Sequence, residues 1–436
     1  MDRLTLGALL FFVMLVLILI GMPTFVAMFL VGVGGIFLMV GWTGSMGLIS
    51  IIPRTQMTSF DWVVIPLFVF MGVVLMETGI GSELFTALRN WVGHIPGGVG
   101  AATSFAGALI GTMTGSGFAA TGLLSRLAYP EMVRFGYRKD LALAICATAG
   151  PLSMIIPPSI VIVIAAILAE ASIAGSLLGG LGPGFTVMAF YCVMLFLRCR
   201  ANPSLGPSTP SPPWRTRFHS LLYLIPVAII MLTIIGGLLF GIFTATEAAG
   251  CGALISLCVA IGMRRFNYSI LKRSVMEALR LSLLIMLLIM CALGFYVKFL
   301  SISGISLMLA NACLGFPSPW ITIALMYTFQ FIAGMFIGNP MNYVVIPLFA
   351  PIIIELGFPV VWFVICCTMM TITGTVSPPV CVCLFIAQSI IREVPMMDAY
   401  KAVWPFLGCN LIVIAIMVAW PELCIGIPKL AGYTVY

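Results

Sequence analysis

The chain has 436 residues, of which 62% are hydrophobic and only 8% are charged, and its formal net charge is +7. Soluble domains carry roughly 25% charged residues, so this composition excludes an ordinary soluble protein and indicates an integral membrane protein. The apolar runs are long enough for helices and do not alternate over strands of about ten residues, which excludes an outer-membrane β-barrel. The sequence therefore predicts an all-α polytopic membrane protein.

Polar breaks divide the chain into thirteen apolar segments. In chain order they lie near residues 5–20, 23–41, 63–80, 98–125, 141–169, 179–197, 219–240, 247–263, 279–300, 304–316, 320–356, 361–390 and 402–420. The opening stretch "MDRLTLGALLFFVMLVLILIGMP" has an apolar run longer than the core of a signal peptide and lacks a clear small-residue cleavage site, so it is interpreted as the first span. Two segments, 98–125 and 320–356, have glycine-rich or proline-containing centres and are each predicted to form a re-entrant hairpin.

The positions of lysine and arginine predict the orientation, because cytoplasmic loops are enriched in positive charge. Three loops, at 126–140, 198–217 and 264–280, hold thirteen of the twenty positive residues and should be cytoplasmic. No lysine or arginine occurs between Lys298 and Arg392, so much of that stretch should face the other side. The first hairpin is therefore expected to enter from the cytoplasm and the second from the outside.

The two predicted hairpins share a glycine-containing tip. The stretch "GTMTGSG" begins at Gly111 and "GMFIGNP" begins at Gly334. Alignment at these glycines also matches the two tip glycines and places Ser116 opposite Asn339. Each half of the chain therefore contains a hairpin with a small polar tip.

A proline pair follows each hairpin at a similar distance. The pairs lie in "GPLSMIIPPS" and "TGTVSPPVCV", and Pro157 comes 46 residues after Gly111 while Pro378 comes 44 residues after Gly334. Adjacent prolines remove two backbone donors and cannot occupy a continuous helix, so each half is predicted to contain a broken helix. Because the two hairpins enter from opposite sides, the repeat is predicted to be inverted.

This pattern is typical of a secondary transporter. A helix break frees carbonyl groups that can coordinate a cation such as Na⁺, and it creates helix N-termini that favour anions. Two breaks and two tips that meet near the midplane would form a site for an anion and its coupling cations. A simple proline kink is the alternative. Four hydroxyl residues at the breaks could either bind ligands or back-bond within a helix, namely Ser153, Thr373, Thr375 and Ser377.

Charged residues within the spans give little support to a proton relay. Glu247 lies at the start of a span, where an acid suits the positive end of a helix with Thr244 or Thr246 as the cap, and proton coupling is the alternative. The thirteen cysteines show no metal-binding spacing and are interpreted as packing residues. We therefore expect Na⁺ as the coupling ion, no other metal or cofactor, and no catalytic residue.

Motifs spread over nearly the whole chain resemble one family. They include "GSGFAATGLL" (115–124), "AGPLSMIIPPSIVIVIAAILAEASI" (149–173), "IIGGLLFGIFTATEAAGCGAL" (234–254), "GMFIGNPMNYVVIPLFAPII" (334–353) and "TVSPPVCVCLFIAQ" (375–388). In order and spacing these motifs resemble the large membrane subunit of tripartite ATP-independent periplasmic (TRAP) transporters, the DctM family. The resemblance implies an elevator-type importer of small organic acids in the bacterial inner membrane, driven by sodium symport. It also implies two partners: a DctP-like periplasmic substrate-binding protein and a separate, small, four-helix DctQ-like membrane subunit.

The resemblance and the repeat together imply the site residues. The implied sodium ligands are Ser116, Gly150, Ser153 and Pro157 in the first half, and Gly338, Asn342, Thr375 and Ser377 in the second. The implied substrate-binding residues are Gly115, Gly117, Thr121, Asn339, Pro158 and Pro378. The second tip departs from the family pattern, because many relatives have an acidic residue where this chain reads "FIGNP".

The expected domain organisation follows the repeat. Residues 1–97 would form N-terminal scaffold spans, and residues 198–319 would form central scaffold spans with a connecting helix. Residues 98–197 and 320–436 would hold the two sets of transport elements. The main alternative function is a stand-alone sodium/anion symporter of a related inverted-repeat fold that needs no binding protein. A channel and a membrane-embedded enzyme are the alternatives from other classes.

Overall fold

The computed structural model describes residues 2–288 and 293–436, and every regular element among them is helical. The helices of the first half are α1 (Arg3–Leu19), α2 (Thr24–Thr58), α3 (Val64–Glu77), α4 (Ile80–Val92), α5 (Gly98–Thr114), α6 (Gly117–Arg134), α7 (Lys139–Ala149), α8 (Ile160–Leu168), α9 (Ile173–Gly179), α10 (Leu181–Ala201) and α11 (Trp214–Leu221). Those of the second half are α12 (Ile225–Leu239), α13 (Ala245–Gly262), α14 (Tyr268–Leu288), α15 (Gly294–Ser303), α16 (Ile305–Leu314), α17 (Pro319–Ile337), α18 (Pro340–Glu355), α19 (Val360–Val376), α20 (Val382–Ile390), α21 (Met396–Ala419) and α22 (Glu422–Leu430). Short 3₁₀ helices cover Phe60–Val63 and Pro151–Met154.

The length and composition of these helices confirm a multi-pass membrane protein. Six of the described helical stretches are long and apolar enough to cross a membrane, and the number rises to eight if each of two bent helix pairs is one span. Shorter apolar helices, among them α5, α18 and α19, supplement them. Helices satisfy their own backbone hydrogen bonds, which is what a segment surrounded by lipid requires.

Several predicted boundaries were wrong because charged residues continue helices beyond the apolar core. The predicted loop at 126–140 is helical as far as Arg134, and most of the loop at 264–280 belongs to α14. The predicted span at 23–41 continues as α2 to Thr58, with a kink at Gly41, whose φ is +80°. In α6 the basic residue of the last turn, Arg134, interacts favourably with the helix dipole, so positive charge need not end a helix.

The structure confirms the capping role predicted for Glu247. The Thr244 hydroxyl accepts a hydrogen bond from the Glu247 amide at 3.3 Å, and the Glu247 carboxylate accepts one from the Thr244 amide at 2.8 Å. This reciprocal pair is a capping box, and it satisfies two amide groups that the first turn of α13 leaves free. The carboxylate is thus engaged at the start of the helix.

A helical hairpin occurs at each of the two predicted places, and its re-entrant course in the membrane stays a prediction. Helices α5 and α6 pack against each other and are joined by Gly115 and Ser116, and helices α17 and α18 are joined by Gly338 and Asn339. Gly115 has a φ of +64° and Gly338 a φ of +74°, a backbone region that favours glycine. The glycines at the tips therefore allow each chain reversal within two residues.

Both predicted helix breaks are present as well. The first lies between α7 and α8 and contains the short 3₁₀ helix and a cis Pro157–Pro158 peptide. The second lies between α19 and α20 and contains a cis Pro378–Pro379 peptide. Each break leaves carbonyl groups at the end of the preceding helix and amide groups at the start of the following one without helical partners.

Helix α19 forms the centre of the molecule. All of its residues, from Val360 to Val376, are buried, and it packs against α17, α21, α18, α8 and α9. Apolar residues occur on every side of α19, and its threonine hydroxyls donate to carbonyl groups of the same helix, which suits a fully buried position. The Trp362 indole, which is completely buried, donates to the Met417 carbonyl at 2.8 Å and ties α19 to α21.

The two broken helices run through the fold in opposite directions. Lys139, the first residue of α7, forms an ion pair at 2.6 Å with Glu393, which follows α20. The first broken helix therefore begins at the face of the molecule where the second one ends. At the end of the second hairpin that lies away from its tip, Trp320 at the start of α17 packs edge-to-face on Phe358, which precedes α19.

Candidate functional site

The first hairpin tip packs directly onto the first helix break. A Cβ atom on Gly111 of α5 would collide with the side chain of Ser153, and one on Gly150 would collide with the Thr121 hydroxyl of α6. A Cβ atom on Gly117 would lie 3.0 Å from the Gly150 carbonyl oxygen. Glycine at these positions therefore brings four of the predicted site residues together, namely Gly117, Thr121, Gly150 and Ser153.

The second hairpin tip packs onto the second break in the same way. A Cβ atom on Gly374 would lie 2.6 Å from the carbonyl carbon of Gly334. Gly374 precedes Pro378 by four residues, as Ser153 precedes Pro157. The contact between Gly334 and Gly374 is therefore the counterpart of the contact of Ser153 with the first hairpin. Gly338 lies close to Thr375, because its Cβ atom would be 3.6 Å from the Thr375 methyl group.

Met154 connects the two tips. Its sulfur lies 3.3 Å from the Asn339 Nδ2 atom at the second tip, and its methyl group would be 2.5 Å from a Cβ atom on Gly117 at the first. Methionine is flexible and polarizable, so it can fill an irregular gap between two elements. No periodicity or spacing in the sequence indicates a role for this residue, which lies between Ser153 and the first proline pair.

Cys383 makes a second connection between the halves. Its thiol lies near the Thr121 hydroxyl of α6 and the Thr375 hydroxyl at the end of α19. The cysteine is a packing residue, as its apolar surroundings in the sequence predict, and it packs between two predicted site residues. Thr121, Thr375 and Cys383 thus join the first hairpin to the second break.

The hydroxyl groups at the breaks donate hydrogen bonds within their own helices. Ser153 donates to the Gly150 carbonyl at 2.8 Å, and Ser377 donates to the Thr373 carbonyl at 2.7 Å. Thr375 donates to the Ile372 carbonyl at 2.7 Å. A hydroxyl that donates in this way keeps oxygen lone pairs that can still accept a hydrogen bond or face a cation.

Ser159 and Cys381 bridge the two breaks in a matched manner. The Ser159 hydroxyl donates to the Met154 carbonyl at 2.6 Å, and the Cys381 thiol donates to the Val376 carbonyl at 3.0 Å. In each case the side chain reaches back five residues across the proline pair. Ser159 also caps α8 by accepting from the Ile162 amide at 3.3 Å. These contacts use some of the backbone groups that the breaks release.

The structure places Ser116 at the tip and Asn342 inside a separate buried cluster. Ser116 caps α6 by accepting from the Ala119 amide at 3.3 Å. The Asn342 Oδ1 atom accepts from Gln330 Nε2 at 2.6 Å and from the Thr371 hydroxyl at 2.7 Å. The predicted ligand Asn342 is thus engaged between the two arms of the second hairpin and α19.

The assembled site contains no ionisable carboxylate, amine, guanidinium or imidazole. No Asp, Glu, Lys, Arg or His occurs at 111–124, 149–160, 334–345 or 371–384. The N-termini of α6, α8, α18 and α20 all lie at the tips and breaks. Helix N-termini favour anions, and free carbonyl groups favour cations, so backbone dipoles dominate the electrostatics of the site.

Comparison with known proteins agrees with this architecture. The family described as "Tripartite ATP-independent periplasmic transporter, DctM component" matches residues 11–423. The C4-dicarboxylate TRAP transporter large permease protein DctM of Pseudomonas aeruginosa is 28% identical over 372 residues, covering 84% of this chain and 86% of the relative. The isethionate TRAP transporter permease protein DctMQ of Oleidesulfovibrio alaskensis is also 28% identical over 372 residues, covering 85% of this chain but only 58% of that longer protein.

A solved structure shares the fold. The YdaH transporter of Alcanivorax borkumensis superposes with a TM-score of 0.59 at 15% sequence identity, covering 88% of this chain and 91% of YdaH. The curated relatives are permease subunits of transporters and not enzymes. Together with the match over nearly the whole length, these findings show that the chain is an inner-membrane permease subunit that belongs to the DctM family of tripartite ATP-independent periplasmic transporters.

Proposed function

We propose that this chain is the large membrane subunit of a sodium-driven, binding-protein-dependent importer of small organic acids. The convergence of the two hairpin tips on the two helix breaks carries the proposal. It brings together hydroxyl groups, free carbonyl groups and helix N-termini without any fixed ionic charge. Such a site can hold an anion and a coupling cation together, because each offsets the charge of the other.

The proposed sodium ligands fall into two sets, one for each half. The first comprises Ser116, Gly150, Ser153 and Pro157, and the second comprises Gly338, Asn342, Thr375 and Ser377. Contact of the tip glycines with the break supports each set. Two of the eight have little free coordinating capacity, because the Asn342 Oδ1 atom and the Gly150 carbonyl oxygen each already accept two hydrogen bonds.

The proposed substrate site lies between the tips. Gly115, Gly117, Thr121, Asn339, Pro158 and Pro378 would form it. Met154 and Cys383 lie among these residues and join the two halves there. A carboxylate suits this place because four helix N-termini are directed to the tips and breaks. The relative named for C4-dicarboxylate transport supports an organic acid as the substrate class.

The opposite directions of the broken helices support an inverted repeat. The ion pair between Lys139 and Glu393 joins the start of one to the end of the other. In the proposed elevator mechanism, residues 98–197 and 320–436 move as the transport elements. Residues 1–97 and 198–319 provide the scaffold against which they move.

Two partners complete the proposed system. The family description names a tripartite transporter, which supports a periplasmic binding protein and a second membrane subunit. This chain covers only 58% of the longer relative DctMQ, whose additional length supports a small DctQ-like membrane subunit of four helices as the second partner. The binding protein would supply much of the substrate selectivity.

Reconstitution tests this function. The chain and a DctQ-like small subunit would be placed in liposomes, and uptake of labelled organic acids would be measured. Uptake should require both an inward sodium gradient and a DctP-like periplasmic binding protein. Uptake with sodium alone would establish a stand-alone symporter instead, and uptake indifferent to sodium would favour a channel.

A further inference from the structure

A cavity of about 700 Å³ lies at the end of α6 and α20, away from the candidate site. Its lining includes Arg126, Tyr129 and Arg134 from the first half of the chain and Arg392 and Glu393 from the second. The cavity is at the face that the positive-inside rule assigns to the cytoplasm. Its volume exceeds what a small organic acid requires, so the chemistry of the lining decides what it can bind.

Positive charge predominates in the lining. The one carboxylate, that of Glu393, is engaged by Lys139 at 2.6 Å. Arg134 interacts with Glu131 at 3.4 Å, and Arg392 Nε donates to the Ser389 carbonyl at 3.3 Å. Within the described residues, Arg126 has neither a hydrogen-bond partner nor an ion-pair partner. Its guanidinium is therefore available to an anion that enters the cavity.

Tyr129 provides an independent indication of a ligand. The residue is only 6% exposed, and its hydroxyl has no hydrogen-bond partner in the part of the chain that the structure describes. A buried hydroxyl without a partner is unfavourable, so most such groups are paired in native structures. Tyr129 lines the cavity one turn from Arg126, so a small shift of its ring that uncovers the buried hydroxyl would let an anion accept a hydrogen bond from it while facing the guanidinium.

An apolar contact separates this cavity from the candidate site. Gly122 of α6 faces Ile386 and Ile390 of α20, and a Cβ atom on Gly122 would lie 4.0 and 3.8 Å from their side chains. Thr121 and Cys383 lie on the tip side of this contact, and Arg126 and Tyr129 lie on the cavity side. The cavity is thus a separate place with its own polar groups.

We propose that the cavity is a second anion site, in which Arg126 and the Tyr129 hydroxyl bind the carboxylate of a small organic anion. The choice of a carboxylate ligand rests on the proposed function. Arg392 supplies charge from the other half of the chain, so bound anion would connect the ends of α6 and α20. The phosphate of a lipid headgroup shares this chemistry, and the experiment below distinguishes the two sources.

Direct binding tests the proposal. The full-length chain would be purified into nanodiscs of phosphatidylcholine, in a sodium-free potassium buffer of constant ionic strength, and equilibrium dialysis would measure the binding of labelled succinate. Wild-type protein should bind succinate saturably, and inorganic phosphate should compete. Arg126→Gln should raise the Kd about tenfold, and Tyr129→Phe should raise it about threefold, because each removes one hydrogen bond to the anion.

Arg280→Gln is the matched control, because it removes an exposed arginine of α14 and should leave the Kd unchanged. Equal thermal stability of all variants would confirm that they are folded. Absence of saturable binding by the wild type, or an unchanged Kd for Arg126→Gln, would overturn the proposal. Succinate binding that disappears in nanodiscs containing phosphatidylglycerol would identify a lipid headgroup as the occupant and overturn the assignment to a small anion.

The result is separable from that of the proposed function. If Ser153→Ala, at the candidate site, raises the Kd for succinate as much as Arg126→Gln does, the succinate is bound at the candidate site and the cavity proposal is overturned. If sodium-driven uptake proceeds while the cavity binds no succinate, only the proposal of a second anion site is refuted. If the cavity binds succinate while uptake needs no sodium, only the proposed transport mechanism is refuted.

Discussion

At the scale of single residues, the hydroxyl groups at the breaks have two compatible roles. Each donates its proton to a carbonyl of its own helix, which removes one buried donor that would otherwise lack a partner. The oxygen keeps its lone pairs, so the same hydroxyl can contribute to a cation site. Back-bonding and ligand binding were alternatives in the sequence, but the geometry allows both.

Removal of the Ser153 or Ser377 hydroxyl should lower the apparent affinity of the transporter for sodium without unfolding the protein. Ser153→Ala and Ser377→Ala should each raise the sodium concentration for half-maximal uptake about fivefold, because one proposed ligand oxygen is lost. Uptake in the reconstituted system would be measured against sodium concentration. Thr233→Ala is the control, since Thr233 donates to the carbonyl four residues earlier, as Ser377 does, but lies exposed on α12. Unchanged sodium dependence in both serine variants would remove these residues from the site.

Close packing of Gly111 against Ser153 gives a second residue-scale prediction. Gly111→Ala should lower the thermal stability, because overpacking costs about 1–3 kcal/mol and the new methyl group meets the Ser153 side chain. Ser153→Gly in the same chain should restore much of the loss, since it recreates the glycine that the second half has at Gly374. Thermal unfolding of the single and double variants would measure this. Equal destabilisation in the two would refute the proposed contact.

Some site residues could be predicted and others could not, for a physical reason. Glycine at a tip and a proline pair each restrict the local backbone conformation, so the roles of Gly338 and Pro157 can be predicted from the sequence. The roles of Met154 and Cys383 depend on contacts between segments that are distant in the sequence. No local pattern distinguishes them from the other methionines and cysteines of an apolar chain.

At the scale of elements, the second hairpin is held by a buried polar cluster. Gln330 of α17, Asn342 of α18 and Thr371 of α19 are completely buried and hydrogen-bond to one another at 2.6–2.8 Å. The cluster thus joins both arms of the hairpin to the central helix. Hydrogen bonds at membrane depth persist because water does not compete for the partners.

The cluster predicts that Thr371→Val destabilises the protein. Valine keeps the shape but removes the hydroxyl that lies between Asn342 and Gln330, and an unsatisfied buried group costs about 1–3 kcal/mol. A lower unfolding temperature in detergent would be the expected result. Thr328→Val on α17 is the control, because Thr328 is exposed and donates only to the Ala324 carbonyl. A similar effect of both substitutions would argue against a special role for the cluster.

Element existence was easier to predict than element ends. The hairpins and breaks follow from glycine and proline, whereas the limits of α6 and α14 were misjudged at charged residues. Arginine is a good helix former, and its position near the membrane surface leaves the guanidinium in water. Polarity therefore marks where a helix leaves the membrane, which differs from where the helix ends.

At the scale of the whole molecule, the two halves meet both inside and at one face. Met154 and Asn339 join them at the tips, and Lys139 and Glu393 join them at the basic face. Because the halves are in contact both at the tips and at the basic face, the two sets of transport elements are expected to move as one body.

A second cavity, of about 460 Å³, lies between the proposed transport elements and the proposed scaffold, with Glu170 on one side and Lys298 on the other.

The elevator proposal predicts that distances change only between the two bodies. Spin labels at Met397 of α21 and Tyr268 of α14, which are both exposed, would report the distance between transport and scaffold elements. Labelling through an unnatural amino acid avoids the thirteen native cysteines. Sodium with substrate should shift this distance distribution by several ångströms, whereas a pair at Tyr268 and Phe60, both in the scaffold, should keep its distribution. A shift in the scaffold pair, or none in the first pair under any condition that supports uptake, would contradict rigid-body movement, because an elevator displaces one body relative to the other while each keeps its internal packing.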